Sequence, residues 1–189
     1  MRSSSETFGG FEQSAAGGPH AFTLPETLAT LAVVAVVASL MLSAISRSNA
    51  QARQLNCQVH LRQVHVGFRL FTIHNNRCLP DTRKSNMSWE RSIEPYLEQS
   101  RVVFGCPADN ELFPATGSSY DWRDTGDPLT TLAGARLADV ERTSAVFAFD
   151  ALPGWHLPDR MNVVCVNGSV VSMAQCEGLA DLLVAVRRK

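Results

Sequence analysis

The sequence predicts an α+β protein: a long N-terminal helix, first membrane-spanning and then amphipathic, packed on a small antiparallel β-sheet head. Three observations carry this. Residues 27–45 read TLATLAVVAVVASLMLSAI, without a single charge. Cys57, Leu61, Val64, Phe68 and Phe71 then recur at steps of 4, 3, 4 and 3, which is one stripe of a helix. Near the C-terminus, Asn167-Gly168 separates two runs rich in β-branched residues, 161–166 and 169–173, the strongest short-range signal for a hairpin.

The apolar run comes first. Its 19 residues would rise roughly 28 Å as a helix, close to the hydrocarbon thickness of a bilayer. A core helix of a small domain rarely stays apolar all round for five turns. A cleaved secretory signal has a shorter apolar core directly behind a basic stretch, whereas residues 1–21 hold Arg2 against Glu6 and Glu12. A membrane helix is the stronger reading. Pro25 suits the first turn, where its missing N–H costs nothing, and Thr23 or Thr27 is placed to cap that end. Beyond the run, Arg53, His60, Gln63 and Arg69 fall largely off the apolar stripe. The helix is expected from about Pro25 to Ile73, fading at His74-Asn75-Asn76 with Pro80 as a stop.

The head, residues 79–189, begins with a short helix around Ser88–Ile93. Tyr120 and Trp122 fall in a Gly/Ser/Asp-rich stretch that reads as loop. Ala145–Phe149 is strand-like, and the hairpin follows, with positive φ required at both Asn167 and Gly168. Leu179, Leu182, Leu183 and Val186 predict a final helix closing on Arg187-Arg188-Lys189, where basic residues favour the dipole.

The chain of 189 residues carries 17 basic and 18 acidic side chains, so bulk charge offers no case for nucleic acid. Charge is instead segregated. Residues 46–80 hold Arg47, Arg53, Arg62, Arg69 and Arg77 and no acid, while residues 81–189 hold 15 acids against 11 bases.

Ala21-Phe22-Thr23-Leu24-Pro25-Glu26 has a specific look. An F-T-L-x-E pentad opening an uninterrupted apolar helix behind a polar leader resembles the type IV prepilins and type II secretion pseudopilins. Cys57-Gln-Val-His-Leu-Arg-Gln-Val resembles the C-x-x-N-L-R-Q-L segment of a pseudopilin-like bacterial group, with His60 in place of Asn. Pro95–Gln99 and Phe104–Asp109 match its P-Y-L-E-Q and F-x-C-P-A-D segments. His156, Asn167 and Gly168 are a degenerate form of its C-terminal signature of a histidine, nine residues and Asp-Gly, with ten residues intervening and Asn for Asp. The resemblance covers about 22–78, 89–109 and 145–173.

It implies a pilin-like fold divided into a leader over 1–21, a transmembrane helix over 22–45, an amphipathic stem over 46–78 and a head over 79–189. A prepilin peptidase would cut between Ala21 and Phe22 and methylate the new amine. Glu26, the fifth mature residue, would meet the N-terminal amine of a neighbouring subunit and set registry; otherwise it is an interfacial carboxylate facing water. Ala21 departs from the family's usual Gly, and the basic stem opposes the implied topology, since the positive-inside rule would hold it in the cytoplasm.

Catalysis is not expected: no nucleophile elbow, phosphate loop or dinucleotide fingerprint occurs. No pair among Cys57, Cys78, Cys106, Cys165 and Cys176 has C-x-x-C spacing, so zinc has little sequence support. With the head outside the cytoplasm, Cys57 with Cys106 is the preferred disulfide, tying spine to head; the odd count leaves a thiol over, and the default for the others is a buried small side chain. His60, His65 and His74 do not share a face at one-turn spacing and read as solvated or half-buried. No cofactor is expected. Calcium at Asp109, Glu111, Asp121, Asp124 and Asp127 is an alternative implied by the major pseudopilins, without EF-hand spacing.

The expected function is therefore a structural subunit of the bacterial inner membrane, single-pass, its head in the periplasm. It would assemble through its N-terminal helix into a type IV pilus-like or type II secretion filament. Its partners would be the prepilin peptidase, other pilin or pseudopilin subunits, an inner-membrane assembly platform and the lipid bilayer, with no nucleic acid. The alternative is an anchored extracytoplasmic binding module that never polymerises; an anchored enzyme is a weaker third.

Overall fold

The computed structural model describes residues 23–98, 100–152, 154–156 and 158–186. Ala21 and Phe22 lie outside the described residues. Contacts divide the chain into two units, 1–44 and 45–189, while one helix, α1, runs over Leu24–His74.

In the first unit, every described side chain of α1 is exposed, including Leu28, Leu31, Val33, Val36, Leu40 and Leu42. This stretch is long and apolar enough to cross a membrane. Its few polar side chains are satisfied within the helix: the hydroxyls of Thr30, Ser39 and Ser43 donate to the carbonyls of Thr27, Val36 and Leu40. That removes most of the cost of placing them in hydrocarbon.

In the second unit α1 continues with Cys57, Leu61, Val64 and Phe68 fully buried, and Phe71 partly buried against the same cluster. The stripe read from the sequence is thus the face the head covers. Asn76 and Arg77 follow with φ of 52° and 61°, left-handed conformations that end the helix. Three short helices come next, α2 (Thr82–Ser85), α3 (Trp89–Ile93) and α4 (Leu112–Thr116). Asp81 and Ser88 cap the first two through side-chain oxygens.

The sheet is an antiparallel meander of β1 (Tyr120–Trp122), β2 (Val146–Asp150), β3 (Arg160–Cys165) and β4 (Val170–Ala174), in that spatial order. Both its faces are covered. Phe147 and Val164 join the cluster built on α1, whereas Val146, Phe149, Met161 and Val163 pack with Met173 and Leu182 in a second cluster. Leu182 ends α5 (Gln175–Leu182), so β2 and β3 are buried along nearly their whole length rather than at alternating positions.

Three expectations are corrected. Tyr120 and Trp122 are not loop residues but β1, paired in register with Asp150 and Ala148; both rings are buried, and that burial outweighs the turn-forming residues around them. The hairpin turn is one residue wider than expected. Gly168 N–H donates to Cys165 O, Cys165 N–H donates to Ser169 O, and of the Asn-Gly pair Gly168 alone has positive φ, 86°. This is a type I turn closed by a glycine bulge. The last helix stops at Leu182, with Leu183 exposed and Val186 buried beyond it; residues 187–189 lie outside the described residues. The tail leaves the helix because its polar backbone is taken elsewhere. Arg123 Nη2 donates to Asp181 O and Val184 O, and Val186 N–H donates to Leu129 O.

Candidate functional site

Two places hold the residues singled out by sequence. The first is the start of α1. Glu26 Oε2 accepts from Thr23 N–H at 2.8 Å and from Thr23 Oγ1 at 2.7 Å. This is the glutamate half of a capping box: a third-position carboxylate reaches back to a backbone donor that the helix cannot satisfy. Thr27 N–H donates to Thr23 O, and Pro25 occupies the first turn without wasting a donor. Glu26 is exposed and tethered locally.

The second place lies in the head, where the register of β1 and β2 sets Tyr120 directly opposite Asp150. Both reach Cys57 on α1. Tyr120 Oη is 3.1 Å from Cys57 Sγ, and the thiol points at Asp150 Oδ1, 3.2 Å away. Asn162 of β3 fixes the other carboxylate oxygen, donating to Asp150 Oδ2 from its backbone N–H at 2.9 Å and its side-chain amide at 3.0 Å. Cys106 arrives on the loop before α4. That loop is folded by Asp109, which accepts from the N–H groups of Glu111, Leu112 and Phe113 and from Ser119 Oγ. Ser119 Oγ in turn accepts from Cys106 N–H at 2.8 Å. His156 Nε2 lies 3.2 Å from Cys106 Sγ. Cys57 Sγ, Cys106 Sγ and a His156 ring nitrogen all lie within 4.8 Å of one another.

The electrostatics follow from this crowding. Cys106 is pulled down to about 5, by the hydrogen bond from Cys57 first and by His156 and the Ala108 N–H after it, against burial. Cys57 is pushed up, by sharing its proton with Cys106, by burial and by the charge of Asp150. Burial pushes Asp150 up to about 6 despite the Asn162 bonds. Burial disfavours charge on His156, but the Cys106 bond and charge and the Asp150 charge outweigh it and hold the imidazole above its ordinary value.

Comparison of the chain with protein-family models, with curated proteins and with solved structures finds no match. The family resemblance therefore rests on the quoted motifs.

All five cysteines are free thiols; the pair expected to form a disulfide, Cys57 and Cys106, shares the cluster as thiols. The C-terminal signature divides. His156 joins the cysteines, while Asn167 and Gly168 form the hairpin turn, Asn167 Oδ1 accepting from Ser169 N–H and Oγ. Gly168 sits against His65, whose ring a Cβ there would approach at 3.1 Å. His65 is buried and bonded to Val166 O, His60 is half-buried on Gly105 O, and His74 stacks on Tyr96. Four of the five acids suggested for calcium are engaged separately: Asp109 as above, Asp121 with Trp122 N–H, Asp124 with Thr82, Thr131 and Arg83, and Asp127 with Leu129 N–H; the fifth, Glu111, is exposed. Among the described residues, the one group of His, Cys, Asp or Glu side chains close enough to share an ion is Cys57, Cys106 and His156.

Sequence reasoning missed Tyr120, Asp150 and Asn162 as members of this cluster. No local pattern marks them, since they meet only through strand register. It also treated Cys106 and His156 as separate motif residues, because 50 positions divide them.

Proposed function

We propose that the chain is a structural pilin-like or pseudopilin subunit. It would be trimmed by a prepilin peptidase between Ala21 and Phe22 and methylated at Phe22. The single-pass anchor then sits in the bacterial inner membrane with the head in the periplasm, and the mature chain joins a type IV pilus-like or type II secretion filament.

The observation that supports this reading best is the first section of α1: exposed along its whole described length, apolar, and opening on the Thr23–Glu26 cap. A monomer gains nothing from an exposed apolar helix unless lipid or other copies of the helix cover it. Ala29, Ala32, Ala35, Ala38 and Ser39 are small enough to let helix backbones approach closely within a filament. The second section of the same helix is held by the head, giving each subunit a folded domain and a free apolar anchor helix. No catalytic step belongs to this role.

Glu26 is the registry residue. In the isolated subunit its carboxylate is satisfied by Thr23; in the filament it exchanges that partner for the amine of a neighbour. Membrane fractions and sheared filaments from cells making Glu26→Ala test this. The expected result is a chain still anchored but missing from the filament fraction. Normal incorporation of the variant refutes the registry role, whereas absence of the unmodified chain from the filament fraction favours the anchored binding module.

A further inference from the structure

We propose that Cys57, Cys106 and His156 supply three ligands of a zinc(II) site that locks the stem helix to the head, with the fourth position left to a small solvent-derived ligand.

The donor set is the first argument. Two cysteine sulfurs and an imidazole make a donor set that suits zinc and suits magnesium or calcium poorly. Geometry is the second. Zinc distances of roughly 2.3 Å to sulfur and 2.0 Å to nitrogen or oxygen place neighbouring tetrahedral ligands roughly 3.5 Å apart. The observed edge from Cys106 Sγ to His156 Nε2 is 3.2 Å, and the two sulfurs and an imidazole nitrogen all lie within 4.8 Å of one another. Shifts on the order of 1 Å bring these three atoms to metal distance.

The third argument is burial. Cys57 is 0% and Cys106 3% exposed and His156 is half-buried, so three ligand atoms from distant parts of the chain converge out of bulk water. Fourth, the surroundings hold the ligands in place for a metal. Asn162 pins Asp150 Oδ2, Asp150 Oδ1 and Tyr120 Oη lie 3.2 and 3.1 Å from the Cys57 sulfur, and Ser119 Oγ and the Asp109-braced loop orient Cys106. Such outer bonds fix ligand orientation in protein metal sites. The three ligands come from α1, the loop before α4 and the loop before β3, so one ion there would tie the helix to two loops of the head.

The test uses the full chain, purified in detergent under reducing conditions and dialysed against zinc, with bound metal measured by plasma mass spectrometry. The expected result is one zinc per chain, with affinity falling at least about tenfold in Cys106→Ser and His156→Asn and unchanged in Cys176→Ser. Cobalt(II) in place of zinc should give thiolate-to-metal charge-transfer bands and visible bands of tetrahedral intensity. Zinc should also protect Cys57 and Cys106, but not the exposed Cys176, from alkylation in the unmodified chain, a readout that does not depend on any variant folding. The proposal is overturned by no zinc above the level of Cys106→Ser, by equal alkylation of all three cysteines with and without zinc, or by a Cys57–Cys106 disulfide in protein taken from its membrane without reductant.

Discussion

Replacing Phe68 by alanine should nearly unfold the head. Phe68 is wholly buried on the face of α1 that the sheet covers. Its ring centroid lies 4.8 Å from that of Trp122, 5.0 Å from that of Phe147 in an edge contact, and 5.5 Å from that of Trp89 in a stack. Truncating a buried Phe costs about 3–5 kcal/mol through lost transfer energy and the cavity left behind. Three aromatic pairs, each about 0.5–1.5 kcal/mol beyond area burial, place this site at the upper end, about 5 kcal/mol. Domains of this size have about 5–15 kcal/mol in total. Urea unfolding of the detergent-solubilised chain, followed by tryptophan fluorescence, reads the effect, because Trp89 and Trp122 both touch the ring. With a slope of about 2 kcal/mol per molar urea, the midpoint should fall by about 2–2.5 M. Leu183→Ala, at an 81% exposed position, should move it by less than about 0.3 M. A Phe68→Ala midpoint within the range of that control would refute the claim that the stem helix is the core of the head.

Arg123→Met tests the clamp on the C-terminal tail. Its guanidinium is fully buried and bonds Thr130 O, Val146 O, Asp181 and Val184 O, so its loss strands several buried acceptors and should cost about 3–5 kcal/mol in the same assay. Asp109→Asn tests the loop that carries Cys106. Burial raises the Asp109 carboxyl, but bonds from Ser119 and three backbone N–H groups outweigh this and hold it below its ordinary 3.8. A depressed folded value means the unfolded chain binds the proton first, so the contribution is present above 3.8 and is lost as pH falls through the folded value. The variant should therefore be less stable by about 1–2 kcal/mol at pH 7, and the gap to the parent should narrow below pH 3.8.

What could be read in advance follows from the range of each signal. The helix was legible because its stripe, Cys57 to Phe71, repeats within one element, and the face so marked is the one the head buries. The β3–β4 hairpin was legible because a glycine with positive φ sits between β-branched runs. β1 was not, since three residues in a Gly/Ser/Asp context carry no period and owe their state to burial of Tyr120 and Trp122 against the rest of the head. The tail was over-extended because leucines at helical spacing do not reveal that Arg123, far back in the chain, takes the carbonyls of Asp181 and Val184. The cysteine cluster shows the same limit. Cys57 and Cys106 stood out by motif, but Asp150 and Tyr120 joined them through a strand register that no spacing encodes.

The central claim, that this chain is processed and assembled as a pilin-like subunit, is tested most directly by the N-terminal sequence of the mature protein after co-expression with a prepilin peptidase. The account predicts a chain beginning at an N-methylated Phe22, and retention of the leader when Ala21 is replaced by a bulky residue. An intact leader on the wild-type chain, with Met1 or Arg2 still at the terminus, would contradict it.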